Sequence, residues 1–400
     1  MKNNVMTCLL PFVCLGCTET LEPPMEEIVD YALNRAVVQC KQMFTTVDSI
    51  PEMLPRSVDK NGILEVSDSY FWTSGFYPGT LWYLYEYTKD EQFKEMASKM
   101  SDRVEIQKYN RDNHDVGFMI NCSFGNKYRI LNDTSCVNII TTTAKSLSSR
   151  YRSTVGCTRS WSHPGTLHWQ FPVIIDNMMN LELFCRAFEL SNDTCFYNMA
   201  ISHADKTMEN HFRENYSCYH VVDYDTISGR ALQKCTWQGY SDDSAWSRGQ
   251  AWALYGFTMM YRETKLQRYL EQAKHIAEYL LNHPKMPLDK IPYWDFDDPD
   301  IPDTFRDASA AAIMASALLE LSHYVNKMTG ERYIDVARTQ IRTLASDKYL
   351  ARPGENCNFI LKHSVGFLPQ NSEVDVPLTY ADYYFVEALM RYRNMFLKKR

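Results

Sequence analysis

Apolar and polar positions recur along this chain with a helical period almost from end to end. Twelve stretches carry the pattern: 26–44, 73–88, 90–108, 116–130, 133–151, 172–191, 194–212, 243–264, 266–283, 306–325, 331–349 and 378–398. Asp90, Asp133 and Thr194 stand where N-caps belong, and Pro172 suits the opening turn of the sixth stretch. The run from Ala310 to Leu319 is apolar nearly all round, which marks an element buried on more than one side. Strand-like pieces are short. The stretch 218–224, a turn through Gly229 and a second alternating run read as a hairpin inserted between helices. Twelve alternating helices with no Pro/Gly/Ser-rich linker predict an all-α fold, an (α/α)6 barrel of six helical hairpins closed into a double ring, with short β-hairpin insertions. A solenoid of helix pairs is the competing architecture.

Composition narrows the picture. With 400 residues, 45% of them hydrophobic, the chain can bury one large core, and residues 25–400 read as a single domain. A net charge of −7 argues against nucleic acid or an anionic membrane surface as a general partner, so an anionic ligand must be met by local cations. Residues 1–20 read as a signal peptide. Lys2 supplies a basic start, and the apolar run from Met6 to Gly16 is too short to span a bilayer. Leu15-Gly16-Cys17 resembles the end of a bacterial lipobox, with Cys14 where Leu is usual, so Cys17 is the expected lipid-anchor residue. The nine cysteines beyond Cys17 are odd in number, irregularly spaced and without a C-x-x-C pair. They read as free, mostly buried thiols, with no structural zinc site.

Candidate chemistry gathers where helices begin. In the stretch 237–252 a Gly/Ser/Asp turn feeds a helix on which Arg248 and Trp252 share one face and Trp246 and Gln250 an adjacent one. Indole faces, a guanidinium and an amide around one helix mouth suit a ring-shaped, polar, anionic ligand. The other reading is an amphipathic helix with its Trp residues in the core. His114 and Asp115 pair at a helix start, where an Asp cap beside an exposed His is the alternative. Asp176 lies four residues before Asn180 in an apolar turn, where desolvation raises a carboxyl toward the pKa of a general acid, unless capping bonds satisfy it. Trp72, Trp161, Trp169 and His220 also precede or connect helices. The acidic run from Asp295 to Asp303 lacks the Gly and terminal Glu of a calcium loop and reads as a solvated loop.

Gln238 to Ser244 with Trp246, Arg248, Gly249, Gln250 and Trp252, the His114-Asp115 pair, Ile174 to Asn180, and Asn371 to Pro377 with Tyr380 to Tyr383 together resemble glycoside hydrolase family 88, the unsaturated glucuronyl hydrolases. The resemblance spans about residues 25–397. It implies the (α/α)6 barrel and action on oligosaccharides left by polysaccharide lyases, whose non-reducing end is a 4,5-unsaturated uronic acid. By the same resemblance Asp176 is the acid/base, Asp115 the second essential carboxylate, and His114, Trp161, His220, Gln238, Trp246, Arg248 and Trp252 line the substrate pocket. No metal or organic cofactor is implied. Lys362 and Ser364 are the available candidates for sulfate recognition. A lipoprotein-like leader on such an enzyme suggests the periplasm, or an outer-membrane anchor, of a Gram-negative bacterium. Two other readings remain. One is a related unsaturated rhamnogalacturonyl hydrolase acting on pectin fragments, and the other is a non-catalytic, surface glycan-binding lipoprotein.

Overall fold

A computed structural model of the chain describes residues 22–162 and 168–397. In chain order its α-helices are α1 (Met25–Asp48), α2 (Phe76–Thr88), α3 (Glu91–Val104), α4 (Val116–Ile120), α5 (Asn126–Leu131), α6 (Ser135–Ser148), α7 (Asn177–Ser191), α8 (Thr194–Asn210), α9 (Ser247–Thr264), α10 (Gln267–Asn282), α11 (Ala308–Leu321), α12 (Lys327–Leu344) and α13 (Thr379–Tyr392). A π-helical turn, Asn121–Gly125, joins α4 to α5 in one rod. The rods α2, α4–α5, α7, α9, α11 and α13 pack each against the next and close into an inner ring, while α1, α3, α6, α8, α10 and α12 lie outside it. This is the (α/α)6 barrel, with each of the twelve expected helices present.

The two rings follow from their sequences. Every residue of α11 is buried, and its alanines let neighbouring inner helices approach closely. Outer helices bury one stripe. In α10 it comprises Tyr269, Leu270, Ala273, Ile276, Ala277 and Leu280, the spacing of a single helix face. Asp90 caps α3 by accepting from Gln92 N, whereas α8 is capped by Asp193, one residue before the expected Thr194.

Four small antiparallel sheets decorate the barrel: β1 (Leu54–Val58) with β2 (Leu64–Ser67), β3 (Tyr151–Arg152) with β4 (Cys157–Thr158), β5 (Pro172–Ile174) with β6 (Val221–Tyr224) and β7 (Ala231–Cys235), and β8 (Ser364–Phe367) with β9 (Ser372–Val376). The β6–β7 pair is the expected hairpin. Pro172 does not open a helix. Pro172 to Ile174 pair with Asp223 to Val221, and the helix begins only at Asn177. The β-branched run Val173-Ile174-Ile175 favours the strand, and Pro172 stands at its first position, where a missing N–H is tolerated.

The inner helices run parallel, so their N-termini share one end of the barrel. The opposite end is closed by ion pairs and hydroxyls: Glu387 accepts from Tyr83 Oη at 2.8 Å and Tyr255 Oη at 3.1 Å, and Arg262 bridges Glu182 and Glu320. The acidic run is solvated only in part: Asp297, Asp300 and Asp303 are exposed, whereas Asp295 and Asp298 are buried. Asp295 is fully buried and accepts from Tyr240 N and Ser244 Oγ, and Asp297 accepts from Ala245 N, so these carboxylates brace the turn that precedes α9. Of the nine later cysteines, all free, Cys195 is exposed, Cys357 half-buried and the rest buried. The leader with Cys17 lies outside the described residues.

Candidate active site

The three-stranded sheet sets the geometry of the barrel mouth. Strand β5 ends at Ile174 and delivers Asp176 to the start of α7, while His220 immediately precedes β6, the strand paired with β5. A backbone bond from Ile175 N to His220 O, 3.0 Å, fixes the junction. His220 Nδ1 accepts from Trp237 N and Gln238 N at 3.1 and 3.2 Å, so its proton sits on Nε2, 3.8 Å from Asp176 Oδ2. Burial, reinforced by the charge of Arg248, holds the His220 pKa well below the usual value, and the ring is a neutral N–H donor.

Asp115 stands at the start of α4. Its Oδ1 accepts from Asn180 Nδ2 at 3.2 Å and lies 3.2 Å from His114 Nε2. Asn180 turns its other end to α4, accepting from Phe118 N at 2.9 Å, so one amide locks the two helix starts together. His114 is buried, not exposed beside a cap, and burial followed by the charge of Arg150 depresses its pKa far below normal.

Both carboxyls have raised pKa values. Burial first, then the charge of Asp176, drives Asp115 up to about 8, against the pull of the Asn180 N–H. Burial drives Asp176 up to about 7, while Arg248 and the Trp252 indole N–H pull the other way. Neither residue caps its helix, although each occupies an N-cap position. Asp176 Oδ2, His220 Nε2 and Trp252 Nε1 are buried polar atoms without a protein hydrogen-bond partner, gathered in one place. Such a cluster is where a ligand or water supplies the missing bonds.

Aromatic faces surround it. Trp161 stacks on Trp169 with centroids 5.8 Å apart and meets His220 edge-on at 5.6 Å, and Trp237 joins the group. On the other side Trp252 and Phe118 pack at 5.2 Å, and Tyr380 packs against Trp72 at 4.9 Å. Among the described residues no three His, Cys, Asp or Glu side chains come together as metal ligands.

Part of the expected pocket proves internal. Arg248 is 1% exposed, and its fork is committed to the backbone: Nη2 donates to Gly366 O at 2.6 Å, and Nη1 donates to Val365 O and lies 3.3 Å from Asp307. It holds β8 against the start of α11, leaving only Nε without a partner, and cannot offer a planar fork to an anionic ligand. Gln250 is likewise bonded to Cys218 N and O. Trp246 is buried under Arg248, whose guanidinium lies 4.5 Å above its ring, and Gln238 Nε2 donates to Gly366 O. Trp252 is fully buried but turns its N–H toward Asp176. The alternating spacing identified which residues share a face but not that strand β8 would cover it. Asp307 and Arg150 escaped the sequence reading as site-building residues. Asn180 and Tyr380 entered it only as members of the family motifs, Asn180 also by its position one helical turn beyond Asp176.

A helical double ring whose mouth joins stacked indoles to buried, proton-bearing carboxyls has the make-up of a carbohydrate-active enzyme. The sequence model of Glycosyl Hydrolase Family 88 matches residues 46–388, and the chain belongs to that family of glycoside hydrolases. It is 47% identical over 328 residues to the unsaturated glucuronyl hydrolase of Formosa agariphila, with 82% of this chain and 81% of that protein covered. It is 31% identical to the unsaturated chondroitin disaccharide hydrolase of Streptococcus agalactiae, over 91% of each chain. Among solved structures, an unsaturated glucuronyl hydrolase specific for heparin superposes with a TM-score of 0.89 at 47% identity, covering 92% of this chain and 98% of that one.

Two measurements test this geometry. Arg248→Ala leaves a buried carboxylate and two carbonyls without their donor, so the urea midpoint should fall by the equivalent of about 3–5 kcal/mol. An unchanged midpoint would contradict the clamp. Asp176 binds its proton up to about pH 7 in the folded chain against 3.8 for the free group, so its contribution to stability is full below pH 3.8 and is lost as pH rises through 7. Asp176→Asn should therefore melt higher than the parent protein at pH 8 and no higher near pH 4.

Proposed function

We propose that this enzyme removes the 4,5-unsaturated uronic acid from the non-reducing end of lyase-generated, heparin-type glycosaminoglycan oligosaccharides by hydrating its vinyl ether. The carrying observation is Asp176, a buried carboxyl raised to about 7 with Oδ2 unbonded, facing a neutral His220 N–H. The heparin specificity of the 47%-identical solved structure supports the substrate class, and a Streptococcus agalactiae mutant enzyme solved with dGlcA-GalNAc6S supports the disaccharide as ligand.

In this mechanism protonated Asp176 gives its proton to C4, and positive charge develops at C5, shared with the ring oxygen. Water then adds to C5 while the Asp176 carboxylate takes its proton, which restores the acid. The hemiketal opens and the neighbouring sugar leaves. One carboxyl thus serves both proton transfers, unlike the paired carboxylates of ordinary glycosidases. His220 Nε2–H steadies the Asp176 carboxylate between the two transfers. Asp115, held by Asn180 and mostly protonated below about pH 8, binds sugar hydroxyls without repelling the uronate. Trp161 and Trp237 offer stacking faces to the sugar rings. The inner helices all point their N-termini at the mouth and favour an anionic ligand through their dipoles. Arg248 contributes its charge at a distance while its fork holds β8.

For localisation, the apolar leader ending at Cys17 supports a lipid-anchored enzyme facing the periplasm. Mass spectrometry of the native N-terminus should find a lipid-modified Cys17. An unmodified residue downstream would exclude the anchor.

The chemistry is tested by following loss of the enoate absorbance with heparin-type, chondroitin-type and pectin-derived unsaturated oligosaccharides. The heparin-type substrate should turn over fastest, and in deuterated water the product should carry one deuterium at C4. Asp176→Asn should lower turnover by about 10²–10⁴-fold while substrate still binds. The alkaline limb of the parent pH profile should fall near pH 7, where Asp176 loses its proton. Near-normal turnover by Asp176→Asn would remove Asp176 from the mechanism.

A further inference from the structure

The two residues first considered for sulfate recognition are a lysine engaged with the backbone and a buried serine. Lys362 Nζ donates to Asp347 O, and Ser364 is buried. Unspent positive charge lies elsewhere. Beside the mouth is a cleft of about 360 Å³ lined by Arg111, Arg150, Arg152, Arg159, Ser162 and Thr226 among others, with no Asp or Glu in its lining. Its volume falls within the roughly 300–1,000 Å³ usual for small-molecule sites.

The arginines divide their labour. Arg150 is the frame, donating to Arg159 O, Arg111 O and Ser160 O at 2.8–2.9 Å and to Ser162 Oγ at 3.0 Å. It thereby draws together three segments, each bearing or adjoining another guanidinium. Arg152 uses only Nε, on Thr154 and Thr226. Arg159 Nε is buried without a partner, and no hydrogen bond is formed by the Arg111 side chain among the described residues. None of the four forms a salt bridge among the described residues. At the far end of the barrel the contrast is plain: Arg129, Arg186, Arg262 and Arg391 each have a Glu partner there. Four guanidiniums without a salt-bridge partner among the described residues, in one cleft of a chain with net charge −7, are a local exception to its acidity.

The cleft is tied to the aromatic wall of the mouth. Arg150 grips Ser160 and Ser162, the two neighbours of Trp161, whose ring meets His220 beside Asp176. We propose that this arginine cleft is a second recognition site for the sulfate groups of sugars beyond the first on the reducing side of the cleaved bond, so that the enzyme selects sulfated oligosaccharides longer than the disaccharide. The inference rests on the glycosaminoglycan reading above. Guanidinium forks suit sulfate oxygens, and the free ends of Arg111, Arg152 and Arg159 supply them.

The test compares the parent protein with the Arg152→Gln/Arg159→Gln double variant and with Arg111→Gln, an exposed single change that leaves the frame intact. Each is measured on an unsaturated heparin-type disaccharide, its sulfated tetrasaccharide and the desulfated tetrasaccharide. KM for the sulfated tetrasaccharide should rise about tenfold or more in the double variant and measurably in Arg111→Gln, with the disaccharide and the desulfated tetrasaccharide unchanged. Equal losses on all three substrates, or none on the sulfated tetrasaccharide, overturn the proposal. If the parent protein turns over no unsaturated disaccharide, the glycosaminoglycan reading itself fails. Calorimetric binding of the sulfated tetrasaccharide then decides the cleft separately: weaker binding by the variants supports it, and equal binding overturns it.

Discussion

Two carboxyls, Asp176 buried and Asp115 half-buried, stand at the mouth of the barrel with no cation bonded to either, and much of the site's character follows from that constraint. Desolvation disfavours charge of either sign, so it pushes Asp115 and Asp176 up and His114 and His220 down. Near neutrality the pocket is then populated by groups that can carry or lose a proton at small cost. An anionic uronate entering such a site meets little of the repulsion that two ionised carboxylates would impose. The cationic fork of Arg248, which would otherwise hold Asp176 ionised, is drawn off to Val365, Gly366 and Asp307.

Charge is partitioned through the rest of the molecule in a matching way. At the closed end, Arg262 and Arg391 are paired with Glu182, Glu320 and Glu387, and Glu320 is held down at about 2 despite its burial because Arg262 and Arg391 outweigh desolvation. Those pairs tie the inner ring together at the end away from the mouth. Beside the mouth, the arginines framed by Arg150 form no salt bridge among the described residues. Paired, neutral and unpaired regions therefore follow one another from the floor of the barrel to its rim, and only the last two face a substrate.

The barrel was legible because a buried inner helix and a half-buried outer helix leave different periodic patterns, and α11 and α10 show the two extremes. Asp176 was legible as a polar residue within an apolar turn, and His114 with Asp115 as a pair at a helix start. What escaped depends on partners remote in sequence. Spacing puts Arg248 and Trp252 on one face of α9, but the strand that covers Arg248 lies more than a hundred residues later. Asp295 looks like a solvated acid until the turn at Tyr240 and Ser244 folds onto it. The run Val173-Ile174-Ile175 is apolar enough for a buried helix, and only its β-branching and the facing strand β6 decide otherwise. Arg150 carried no local signal, because its role is to gather carbonyls from segments that the fold brings together.

The helix caps distinguish structural aspartates from the two proposed to act on substrate. Asp90, Asp193 and Asp307 each accept a backbone N–H at the start of α3, α8 and α11, the arrangement that stabilises a helix by about 1 kcal/mol. Asp115 and Asp176 occupy the same position on α4 and α7 and make no such bond. Capping would have occupied a carboxyl oxygen of each with a helix N–H, spending an atom that the proposed proton transfers need free. The forfeited cap and the buried, unbonded Oδ2 are local losses of stability at the position where the proposed chemistry needs an unsatisfied group. The fold compensates elsewhere, through the Asn180 lock between α4 and α7 and the Arg248 clamp between β8 and α11. A helix start with its cap withheld is thus a physical signature of the reacting carboxyl, distinct from burial alone: Asp382 is equally buried and raised to about 7, yet both its oxygens accept backbone N–H groups, from Ile360 and Leu361.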